Sequence, residues 1–98
     1  MNPQGVDNLV MGTVNAPWKR TLAAGQLATM IKTADLESWL PHVATFFTEV
    51  KPHLLLSFAK LHGIPVPTLS TSYMKVKELT GESNKQLEQD LAGLGTAA

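Results

Sequence analysis

Between Leu36 and Leu61 apolar residues recur in steps of three and four: Leu36, Leu40, Val43, Phe47, Val50, Leu54, Phe58 and Leu61. That spacing places them on one face of an α-helix. Two Pro-His pairs, Pro41-His42 and Pro52-His53, interrupt the run. A proline inside a helix removes a backbone donor and crowds the carbonyl four residues earlier. The apolar face is kept while the backbone is broken, so the stripe predicts the organising core of a small all-α domain. Neither Leu40 nor Lys51 carries a side-chain acceptor that could cap a helix starting at the following proline. The expectation is therefore a kink at Pro41 and a true break near Lys51-Pro52.

The two halves of the stripe differ. Before Pro52 the polar residues Ser38, His42, Thr45 and Glu49 recur opposite it, giving a one-faced helix. After Pro52, Leu54, Leu55, Leu56, Phe58, Ala59 and Leu61 surround the helix and leave His53, Ser57 and Lys60 as a thin polar line. A helix apolar on most sides is central. In a chain of 98 residues the core is modest, so Leu55, Leu56 and Phe58 are candidates for contact with a protein partner.

Around this centre the sequence predicts four or five short helices. Residues 1–15 read as an irregular arm, with Gly5, Gly12 and a short apolar patch at Val6, Leu9, Val10 and Met11. A single helical domain follows over 16–94. Its first helix is expected from an Asn15 cap and Pro17 to Lys32, with Trp18, Leu22, Leu27, Met30 and Ile31 as apolar positions. Asp35 is a candidate cap for the next. His62-Gly63 reads as a stop, because glycine takes the left-handed conformation after a last helical turn. Ile64-Pro65-Val66-Pro67 reads as an extended proline strap at 64–67. A helix from Thr68–Ser72 with Tyr73, Val76 and Leu79 or Thr80 inward should end at Gly81, with a strand over 72–77 as the alternative. Ser83-Asn84-Lys85-Gln86 has the form of a capping box. It would open a last helix, with Leu87, Leu91 and Leu94, stopped by Gly93 or Gly95, and residues 95–98 should fray.

Candidate chemistry is sparse. There is no cysteine, which excludes disulfides and thiolate chemistry. On a continuous helix His42 and His53 would lie about 16 Å apart along the axis, too far to share an ion, and no carboxylate completes a ligand set. Asp35 and Glu37 sit at a helix start, where the macrodipole stabilises carboxylates. No nucleophile elbow or phosphate loop is present. No catalytic residue, cofactor or metal is therefore assigned, and no small-molecule substrate is evident. Formal net charge is zero, with only Lys19-Arg20 adjacent among eight basic residues, so nucleic-acid binding through phosphates is disfavoured. No apolar run reaches the length of a membrane span, and the chain reads as cytoplasmic or assembled into a larger particle.

Charged residues make up 16% of the chain, against roughly 25% in an ordinary soluble domain, and interface cores are depleted in charge. Trp18 beside Lys19-Arg20, and Trp39 at the stripe's edge, are the aromatic and arginine types that anchor interfaces. The sequence thus predicts a non-enzymatic structural or assembly protein working through helix-mediated contacts with other protein subunits, self or hetero. A small component of a multi-subunit particle such as a virion fits. The interface candidates are Trp18, Arg20, Trp39, Leu55, Leu56 and Phe58. The alternative is a small regulatory module recognising a protein or nucleic acid through the Trp18-Lys19-Arg20 region.

Overall fold

Proline decides where two central helices begin. In the computed structural model, which describes residues 3–97, a short 3-10 turn at Glu37–Trp39 leads into α3, Leu40–Glu49. Pro41 occupies its first turn, where the missing N–H would be unsatisfied in any helix. The expected kink at Pro41 is thus a helix start. The backbone opens at Val50 and Lys51, both extended, and Pro52 begins α4, Pro52–Leu61, so the break expected there is present. Neither helix has a side-chain cap; the proline sets φ in place of one.

The fold is all-α. The described residues contain six α-helices and no strand. The sixth, unanticipated one is α1, Pro3–Asn15, where the sequence suggested an irregular arm. Val6, Val10 and Val14 recur every four residues and are all buried, and α1 lies against both α3 and α4. Glycine and valine are weak helix formers, and tertiary packing of the valine face overrides them. Met1, Asn2 and Ala98 lie outside the described residues.

The chain from Ala16 to Ala23 is a loop, and α2 spans Ala24–Thr33, starting seven residues later than Pro17 predicted. Asn15 caps no helix here. Its side-chain amide instead donates to the Leu22 carbonyl at 2.9 Å and accepts from the Leu22 N–H at 2.8 Å, clamping the loop shut. Gln26 accepts from the Ala23 N–H at 3.1 Å and opens α2.

Helix α2 ends with Ala34 in the left-handed region, at φ 58°. The Asp35 N–H reaches back to the Met30 carbonyl at 3.1 Å. Helix α5 supplies the remaining donors: Ser72 Oγ gives to the Ile31 carbonyl at 2.6 Å and Lys75 Nζ to that of Ala34 at 2.7 Å. Gly63, with φ 67°, closes α4 in the same way, its neighbour Ile64 donating to Ala59 at 2.8 Å.

The proline strap is shorter than expected. Ile64 and Pro65 link the elements, and α5 runs Val66–Thr80 with Pro67 in its first turn. It ends at Gly81 as predicted, and residues 72–77 are helical. Tyr73, Val76, Leu69 and Ser72 face inward, whereas Leu79 is exposed. Helix α6, Lys85–Ala97, runs through Gly93 and Gly95, so neither glycine stops it and residues 95–97 continue the helix. Its cap is Asn84, not Ser83: Asn84 Oδ1 accepts from the Leu87 N–H at 3.1 Å. The same side chain donates to the Phe47 carbonyl at 2.9 Å, and its backbone N–H donates to the Tyr73 hydroxyl at 2.8 Å. One asparagine thus ties α6 to α3 and α5.

The stripe that organises the sequence does form the core. Leu36, Val43, Phe47, Val50 and Phe58 are buried, with Phe46 between Phe47 and Phe58 in edge-on ring contacts. Only its last member, Leu61, faces outward. Leu55 is also fully buried, because α1 and α6 both pack on α4 and supply the cover that α4 needs.

Candidate interaction face

The clamped loop at 16–23 carries Trp18, Lys19 and Arg20 onto the start of α3. His42, in the first turn of α3, is the hub. Its ring lies 5.2 Å from Trp18 and 5.0 Å from Trp39, centroid to centroid, the latter edge-on. His42 Nε2 is 2.9 Å from the Arg20 carbonyl. A carbonyl oxygen only accepts, so Nε2 carries the proton. His42 is thereby only 6% exposed, though its position opposite the stripe marked it as a solvated polar residue. Thr45, from the same polar row, is buried as well. A loop from elsewhere in the chain covers this face, which helical periodicity cannot register.

Arg20 completes the cluster. Its guanidinium carbon sits 4.0 Å from the centroid of the Trp39 ring, a cation–π distance. A guanidinium stacked by its face keeps its in-plane N–H fork for a carboxylate. Among the described residues Arg20 makes no ion pair. Beside the cluster lies a depression of about 350 Å³ whose lining includes Trp18, Pro41, Thr48, Glu49 and Glu82. Arg20 therefore lies over Trp39, while Glu49 and Glu82 border the depression beside Trp18.

Three of the six expected interface residues, Trp18, Arg20 and Trp39, are brought together here from positions 18 to 39. Leu55 and Phe58 are not available: both are fully buried, and the expectation that they contact a partner is corrected by the packing of α1 and α6 on α4. Leu56 is half-buried and lines a separate apolar pocket of about 440 Å³ between α4, the start of α5 and α6. The residue that sequence reasoning missed is His42. Its position three residues after Trp39, on the same side of a helical turn, was the available signal.

The other histidines do different work. His62 Nε2 lies 2.8 Å from Asp7 Oδ1 and its ring packs on Phe58 at 4.4 Å, tying α1 to the end of α4. Its carbonyl accepts from Lys32 Nζ at 3.1 Å. His53 is exposed. Among the described residues no group of three or more histidines and carboxylates is placed to hold a metal ion. No helix of the described residues is long and apolar enough to cross a membrane. Comparison with protein-family profiles, curated proteins and solved structures yields no match to this chain, so the face must be read from its own chemistry.

Proposed function

We propose that the protein is a non-enzymatic assembly subunit that pairs with a second copy of itself through the Trp18–Arg20–Trp39 face, the pair being the building block of a larger particle. The carrying observation is the gathering of Trp18, Arg20 and Trp39 around His42. Tryptophan and arginine dominate the energetics of protein interfaces. Holding them in place before binding lowers the ordering cost of association.

A second copy is the partner this charge pattern favours. A two-fold interface is self-complementary, and this face carries Lys19 and Arg20 alongside Glu49 and Glu82. A two-fold axis through the depression would set the cations of one copy against the carboxylates of the other. The same carboxylates repel phosphate, which weighs against nucleic acid at Trp18-Lys19-Arg20.

Sedimentation from micromolar to millimolar concentration tests the reading. The expected result is a mass that rises from one chain to two with concentration, with Trp18→Ala weakening association about thirtyfold, the scale of a hot spot. A chain that stays monomeric throughout, or whose self-association ignores Trp18, contradicts it.

A further inference from the structure

The pocket between α4, α5 and α6 shares no lining residue with the Trp18 face. Its floor is Ala59, Ile64 and Leu69, each nearly inaccessible to solvent, and Leu56 and Leu94 form its walls. It sits in the corner where the Gly63–Pro65 link turns α4 into α5. At about 440 Å³ it falls in the size range of small-molecule sites, roughly 300–1,000 Å³.

The polar groups of the pocket converge on one rim. Ser57 and Lys60 lie three residues apart on α4, hence on one side of the helix, and both line the opening. No lining residue is acidic, and among the described residues Lys60 has no ion-pair partner. An apolar cleft with one lysine and one hydroxyl at its mouth suits a ligand that is apolar along its length and anionic at one end.

We propose that this pocket binds a single aliphatic chain with an anionic head group, as a free monomer, the chain lying on Leu56, Val66 and Leu94 above the buried Ile64 and Leu69, and the head group at Lys60. Ser57 then donates a second hydrogen bond to the head group. The order of preference follows from charge: a carboxylate head binds more tightly than a quaternary ammonium head on the same chain.

Methyl-resolved NMR titration tests this with dodecanoate and dodecyltrimethylammonium, each kept below its micelle concentration. The expected result is a saturable, one-site response to dodecanoate confined to the methyl groups of Leu56, Ile64, Val66, Leu69 and Leu94. Lys60→Glu, an exposed change checked for unaltered melting, should weaken dodecanoate binding about two- to fivefold, the scale of an exposed ion pair. It should also reverse the preference between the two head groups. Three results overturn the proposal: no saturable response at the pocket, shifts spread over the whole protein, or head-group selectivity that Lys60→Glu leaves unchanged.

Discussion

Tyr73 shows how much can rest on one hydroxyl. It accepts from the Asn84 N–H and donates to Glu88 Oε2 at 2.5 Å, while Lys77 Nζ reaches the same oxygen at 3.2 Å. The Tyr73 hydrogen bond, then that from Lys77, holds the Glu88 carboxyl below its ordinary 4.5. Burial, then the hydrogen bond to Glu88, pushes the Tyr73 phenol above its ordinary 10.0. The signs are opposite. The stability Glu88 adds is complete above pH 4.5 and is lost as pH falls through the depressed value. That of Tyr73 is complete below pH 10.0 and is lost as pH rises through the raised value. Chemical denaturation across pH should therefore show a plateau that declines at both ends. Tyr73→Phe should shrink both declines. At neutral pH it should cost about 1–3 kcal/mol, because the Asn84 N–H loses its partner. An alkaline limb left unchanged in Tyr73→Phe would exclude this network as a contributor to it.

At the scale of helices, endings explain more than beginnings. Gly63 and Gly81 take left-handed φ at the ends of α4 and α5, and both stops were legible in the sequence because glycine advertises that conformation. Ala34 performs the same turn at the end of α2 with a φ of 58°, and nothing in its residue type announces it. An L residue pays about 1–2 kcal/mol there, partly offset in the unfolded state by alanine's lower entropy. Ala34→Gly should consequently stabilise the protein by about 0.5–1 kcal/mol, a rise of roughly 2–8 °C in melting temperature. Calorimetry checks it, and an unchanged or lower melting temperature counts against strain at Ala34. The central helices were legible because a stripe of three- and four-residue steps survives proline. Helix α1 was not, since Val6, Val10 and Val14 stand among glycines and gain helical order only by packing on α3 and α4. Gly93 and Gly95 misled for the converse reason: a glycine permits a stop without enforcing one.

For the whole molecule, the sequence carried the composition of the candidate face but not its assembly. Trp18, Arg20 and Trp39 are recognisable as interface types wherever they fall. What joins them is the Asn15–Leu22 clamp and the His42–Arg20 hydrogen bond, contacts across seven and twenty-two residues that no local pattern encodes. Leu55 and Phe58 erred in the other direction: surplus apolar surface on α4 looked like a demand for a partner until α1 supplied the cover. The remaining face, with Arg20 beside Trp39 and carboxylates beside Trp18, is the basis of the proposed self-association through a two-fold axis. Charge exchange tests that geometry most directly. Copies bearing Arg20→Glu would oppose Glu82 of their own kind, and copies bearing Glu82→Arg would oppose Arg20 of theirs. A mixed pair restores both contacts. Sedimentation should find each variant alone more weakly associated than the parent chain and an equimolar mixture restored toward it. A mixture no better associated than its separate components would contradict the two-fold face.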